Sequence, residues 1–146
     1  MPDRAGLEQQ NMALVRRFFD EVVNRGDLDV VDELFAPEYM NRNAHPGQTP
    51  GPEGVKALVR NVRAAFPDIR EMVEDMISSG DRVALRLTMS GTHTGTPFRG
   101  VQPSGKRVEV TGMGIVRVAG GKIPEAWFFF DRMAMYTQLG AITPPQ

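Results

Sequence analysis

Apolar residues return at helical spacing over Leu7–Asn24, where Leu14, Val15, Phe18, Phe19, Val22 and Val23 share one side. Arg16, Arg17, Asp20 and Glu21 take the other, which predicts a helix with one buried stripe. Asn24-Arg25-Gly26-Asp27 stops that helix, and the Asp27 carboxylate suits the free N–H groups at the start of a second one. The second helix is short, carries Leu28, Val31, Leu34 and Phe35, and ends before Pro37. Tyr39–Pro52 is polar and rich in Pro, Gly and Asn, so it is predicted to be loop. Pro52-Glu53-Gly54 opens a third helix with Val55, Leu58, Val59, Val62 and Phe66 as its stripe, and Pro67 closes it.

After Asp68 the period falls to two. Ile69–Ser78 is predicted as a strand, and Ser79-Gly80-Asp81 turns it into Arg82–Thr92, where Val83, Leu85, Leu87 and Met89 alternate with Ala84, Arg86, Thr88 and Ser90. A polar excursion from Gly95 to Gly105 precedes a third strand, Lys106–Val118. Ala119-Gly120-Gly121 then turns into a fourth, Lys122–Arg132, and a short helical turn precedes the polar tail Thr143–Gln146. Helices first and antiparallel strands afterwards predict a single α+β domain over residues 1–146. The sheet reads as apolar on both faces. Helices cover one, and a pocket or a dimer interface accounts for the other.

Composition narrows the chemistry. The chain has 146 residues, 41% hydrophobic and 24% charged, with a formal net charge of −1. No Lys/Arg cluster marks a nucleic-acid or anionic-membrane surface. The longest apolar run, Ala126–Phe130, is too short to span a bilayer, and Met1–Gly6 has no apolar signal core, so a cytoplasmic protein is the default expectation. There is no cysteine and there are two histidines, His45 and His93, which removes thiolate nucleophiles and His-rich metal cages. No Gly-rich loop joins a strand to a helix, so no nucleotide cradle is expected.

Candidate chemistry gathers on the strands. Glu125, Trp127, Phe129 and Asp131 share one face of the last strand by the period of two, opposite Ala126, Phe128 and Phe130. Asp131 either points among apolar side chains or caps the turn that begins at Arg132. Arg86 is its natural partner if Arg86, Thr88 and Ser90 face inward; the alternative turns this set to solvent. His93, at a strand end in Gly91-Thr92-His93-Thr94-Gly95, has an unperturbed pKa of ~6.5 and suits proton transfer, or it is a hydrogen-bonded loop residue. Met89 and Met113 belong to a set of methionines in the sheet-forming half that fill irregular apolar space.

Several motifs occur in order: Ala65-Phe66-Pro67-Asp68, Gly80-Asp81-Arg82-Val83, the Gly91–Gly95 segment, Gly121-Lys122-Ile123, Glu125 with Trp127, and Asp131 ahead of Gln138-Leu139-Gly140. In these the chain resembles the SnoaL-like polyketide cyclase family of the nuclear-transport-factor-2-like superfamily, from about Asn11 to Gly140. The resemblance implies a cone in which helices pack on a strongly curved antiparallel sheet that encloses a pocket, and a homodimer formed through the sheet. It implies closure of a ring of an aromatic polyketide-like substrate by intramolecular aldol condensation, with no metal or cofactor. An acidic residue is the base, and Asp131 matches it, with Arg86 and His93 completing the expected catalytic set. Expected substrate contacts are Asn41, Asn43 and His45 in the loop, with Phe66, Met89, Met113, Trp127 and Phe129 as apolar walls. Two departures stand out. Many relatives carry a histidine between the glutamate and tryptophan, where Ala126 stands here, and another in the loop that here reads Asn41-Arg42-Asn43. Alternatives are a cofactor-independent hydroxylase or epoxide-hydrolase-like enzyme in the same pocket, and a non-catalytic carrier of a small ligand.

Overall fold

The computed structural model describes residues 3–143, so the expected tail at residues 144–146 lies outside the described residues. Helix α1 (Arg4–Arg17) starts at Asp3, whose carboxylate accepts the Gly6 N–H at 2.7 Å and satisfies a donor the first turn leaves free. Its continuation, Phe18–Val23, winds wider as a π-helical turn closed by the Asn24 N–H on the Phe19 carbonyl at 2.9 Å. A 3₁₀ turn, Leu28–Val30, leads into α2 (Val31–Leu34), and α3 spans Gly51–Ala65. The strands are β1 (Phe35–Asn41), β2 (Arg70–Ser79), β3 (Arg82–Thr92), β4 (Arg107–Ala119) and β5 (Lys122–Phe130), followed by α4 (Arg132–Gln138). No helix among the described residues is long and apolar enough to cross a membrane.

The sheet order is β1-β5-β4-β3-β2. β1 runs parallel to β5, and the other three junctions are antiparallel. This corrects the expected strongly curved antiparallel cone. The α+β class stands, but the sheet is mixed and open, with β1 and β2 as edges that do not meet. Closure would need β1 to pair with β2, and that edge is already covered. The Asn24 side chain accepts the Glu71 N–H at 2.7 Å and donates to the Glu71 carbonyl at 2.9 Å, so a side chain stands where a further strand would.

β1 lies in the stretch predicted as loop and second helix. Pro37 is tolerated because β1 is an edge strand, and its register against β5 breaks between Phe35 and Met40. The inward residues of β3 (Val83, Leu85, Leu87, Met89) and of β4 (Val108, Val110, Val116, Val118) are all buried under the helical layer. A bulge in β2 between Val73 and Asp75 shifts its phase, so Glu71 and Val73 face inward before it and Met76 and Ser78 after it.

Candidate active site

Between the helices and the inner sheet face lies a cavity of about 150 Å³. The π-helical turn supplies Phe18, Phe19 and Val23, and α3 supplies Val55, Leu58, Val59 and Val62. Phe128 and Phe130 form the wall on β5, opposite Gly114 and Gly112 of β4. Those glycines let the rings lie against the sheet: a Cβ at 112 would stand 2.7 Å from the Phe130 ring, and one at 114 would collide with Phe128. Asn43 fixes the strand from its edge, accepting the Phe128 N–H at 2.8 Å and donating to the Phe128 carbonyl.

Polar side chains also line the cavity. Glu71 projects from β2 beside Met89, its register partner, and both line the cavity. Among the described residues its carboxylate has no ion pair within 4.0 Å and no hydrogen-bond partner, and burial pushes it up to about 7. The residue is half-buried and lines the cavity, and desolvation there is the cause of the upward shift. Tyr39 is buried, its phenol shifted upward by burial. The Asn41 amide donates to Gln48 at 3.3 Å, and His45 approaches the Pro46 carbonyl at 3.0 Å. Arg63 reaches from α3 and donates to the carbonyls of Val23 and Asn24 at 2.7 and 3.0 Å. Exposed Arg99 and Arg132 stand at the rim. Arg99 has φ 48 and, with Gly100 at φ 81, makes the tight turn of a miniature hairpin that seats Phe98 on Phe66.

Of the residues singled out in the sequence, Asn41, Asn43, His45 and Met89 come together around this cavity. Phe66 is fully buried next to it and supports Phe98, with ring centroids 5.3 Å apart. Arg86, Met113, Trp127 and Phe129 lie on the outer face of the sheet, where they line a separate hollow of about 370 Å³. Arg86 therefore does not cross the cavity to Asp131. The inward set of β3 is Val83–Met89 because these apolar side chains meet the helices, which turns Arg86 outward. Asp131 is exposed and caps α4, its carboxylate accepting the Ala134 N–H at 3.0 Å. It is not among the residues lining the cavity.

His93 is fully buried, stacked on Phe66 at 5.0 Å, with Nε2 2.9 Å from the Thr96 carbonyl and Nδ1 unpartnered. Its loop docks on the end of α3 through the N–H groups of Gly95 and Thr96, which donate to Ala65 and Ala64 at 3.0 Å. Arg42 turns to the outer face, where it and Arg117 hold Glu125 at 2.7 and 2.6 Å. Sequence reasoning missed Glu71, Tyr39, Phe128, Phe130 and the three arginines. Among the described residues no group of three or more His, Asp or Glu side chains is placed to hold a metal ion.

A mainly apolar cavity between an N-terminal helical layer and one sheet face accompanies a family pattern described as SnoaL-like polyketide cyclase that matches residues 13–139. The chain belongs to this family. Among solved structures, TsrD from Streptomyces laurentii is similar at 29% identity, covering 97% of this chain and 100% of its own, with a TM-score of 0.85. A candidate SnoaL-like polyketide cyclase from Jannaschia sp. CCS1 is 31% identical over 99% and 100% of the two chains, with a TM-score of 0.84. IdmH from Streptomyces antibioticus, a candidate polyketide cyclase, is 34% identical over 90% and 99%, with a TM-score of 0.77. No curated protein matches. SnoaL-like membership supports a cyclase-type activity in general terms. It also draws attention to β5, whose three cavity-side positions, Ala126, Phe128 and Phe130, carry no ionisable group in this chain.

Proposed function

We propose that the protein is a cofactor-independent cyclase that closes a ring of an aromatic polyketide-like substrate by intramolecular aldol condensation. The observation that carries this reading is the aromatic-walled cavity with a carboxylate, a phenol and an amide on its surface. A base removes a proton from a carbon between two carbonyls, the resulting enolate carbon bonds to a second carbonyl, and the alkoxide so formed takes up a proton. The product is an isomer of the substrate, and no electron acceptor or metal is consumed. The donors needed for the enolate oxygen are available in the Tyr39 hydroxyl, the Asn41 amide and the guanidinium groups. A volume of this order holds about one aromatic ring. The cyclising end of the substrate then enters while the remainder stays at the rim by Arg99 and Arg132. Holding the chain folded inside an apolar wall removes much of the entropic barrier to ring closure.

The proposal includes a second copy of the chain on the outer sheet face, where Met113, Trp127 and Phe129 need cover. The test of the reaction uses a panel of aromatic β-ketoesters carrying a pendant ketone, followed by chromatography with mass detection. A product of unchanged mass and altered retention is expected. Binding of the panel with no isomerisation at any pH between 5 and 9 would leave a ligand carrier instead.

A further inference from the structure

We propose that Glu71 is the acid–base catalyst of the cavity, a carboxylate projecting from the covered edge of β2 into an apolar chamber. For its natural substrate this rests on the cyclase reading; for its chemistry it does not. Three features of the structure converge on it. Glu71 lines the cavity beside Met89, and among the described residues its carboxylate has neither an ion pair nor a hydrogen bond. A charged group in such a place is costly unless it is paired or hydrogen-bonded, and an unpaired carboxylate facing a cavity marks a candidate functional group. Its backbone is held on the free edge by the Asn24 side chain, which takes up both its N–H and its carbonyl, while Met89 of β3 stands opposite it across the ladder. Asn24 is in turn fixed by the π-helical turn before it and by Arg63, which holds its carbonyl. The carboxylate thus sits on a rigid mount, as a proton-transfer group must.

The other charged or titratable groups around the cavity are Arg63 of α3, Arg99 of the small hairpin, Arg132 of α4, His45 of the loop after β1 and Tyr39 of β1. No arginine comes within 4.0 Å of the carboxylate, so burial dominates and the group is pushed up to about 7, where a base is half available at neutral pH. On β5 the cavity-side positions are apolar, and Asp131 is engaged with the N-terminus of α4. Glu71 is the one carboxylate that lines the cavity among the described residues.

A substrate-independent test uses 5-nitrobenzisoxazole, a flat bicyclic aromatic. A base takes its C3 proton, the N–O bond breaks, and the electron pair leaves as a coloured cyanonitrophenolate while the base returns its proton to water. The protein is expected to accelerate this elimination with a pH midpoint near neutrality, and Glu71→Gln to lose ~10²-fold or more of the rate. Asp131→Asn should leave the rate unchanged. In parallel, ¹³C-carboxyl NMR of glutamate-labelled protein should give one resonance, absent from Glu71→Gln, that titrates near neutral pH. An undiminished rate in Glu71→Gln overturns the proposal, and so does a Glu71 resonance titrating in the ordinary carboxylate range, whether or not the probe enters. Glu71-dependent elimination without cyclisation of any β-ketoester would keep Glu71 as the base and remove the cyclase reading. Cyclisation that survives Glu71→Gln would do the reverse.

Discussion

A carboxyl group raised to about 7 by burial in the folded protein returns to about 4.5 when the chain unfolds, so Glu71 ties stability to pH. Between those values the folded state binds more protons than the unfolded one. The contribution is fully present below the unfolded value and is lost as pH rises through the folded one. The difference amounts to roughly 3 kcal/mol at most. Glu71→Gln should therefore match the wild type in urea near pH 4 and be more stable above pH 7; a pH-independent difference would mean that the carboxyl ionises normally. Carboxylates that gain partners on folding move the other way. Glu125 is held low by hydrogen bonds from Arg117 and then Arg42, and Asp68 by the Thr92 N–H and hydroxyl, so their contributions fade only in more acidic solution, outside the Glu71 window. Asp131 offers a control for a purely structural carboxylate. Asp131→Asn should keep the cap on α4 within a few tenths of a kcal/mol, whereas Asp131→Ala should cost ~1 kcal/mol in thermal or urea unfolding. The capping alternative for Asp131 was legible from its place before Arg132-Met133-Ala134. Glu71 was not, because Arg70-Glu71-Met72-Val73-Glu74-Asp75 reads as a solvated strand end and nothing local announces the bulge or the helical roof.

Elements were legible where their two faces differ. Arg82–Thr92 announced β3 residue for residue, because four large apolar side chains alternate with small or polar ones and only one set can meet the helices. β1 was hidden by Pro37 and by the turn residues that follow it. β5 was recognised as a strand, but its faces were not assigned correctly to cavity and exterior: Phe128 and Phe130 on one side and Trp127 and Phe129 on the other are equally aromatic. The information lies on the neighbouring strand, where Gly112 and Gly114 mark the side on which rings lie flat. This gives a prediction for the β4–β5 pair. Gly114→Ala should drive the Phe128 ring off the sheet into the cavity, cost ~1–3 kcal/mol in unfolding, and weaken binding of 1-anilinonaphthalene-8-sulfonate. Phe128→Ala should enlarge the chamber, so the two variants should shift the accepted probe size in opposite directions. Unchanged melting and unchanged probe binding in Gly114→Ala would mean that the ring does not rest on that glycine.

At the scale of the whole molecule, the outer sheet face carries an uncovered apolar patch. Ile77 and Phe129 are 65% exposed and Met113 is 57% exposed. Met113 and Phe129 stand directly opposite each other on β4 and β5, so they form one patch rather than scattered residues. The charges around the patch also favour self-association. Asp75 and Arg86, register partners on β2 and β3, put both signs on the same face, so a two-fold arrangement that set each against its opposite in a second copy would add ion pairs. Trp127 already carries the Arg82 guanidinium 5.5 Å from its ring centroid, and Glu125 bridges Arg42 and Arg117, so the groups at the far end of the face are engaged within the chain and leave it net positive. The expectation of a dimer came from strands apolar on both sides, and the sequence left a pocket and an interface as equal explanations for the second face. Multi-angle light scattering should find a dimer at tens of micromolar. Met113→Lys with Phe129→Lys places two like charges on each copy at the centre of the contact and should yield a monomer. Because neither side chain lines the cavity, that monomer should still bind the naphthalene probe and retain Glu71-dependent elimination. A wild-type monomer at that concentration would remove the interface. A monomeric variant that had lost elimination as well would mean that the sheet faces are coupled and the second copy is needed to hold the catalytic geometry.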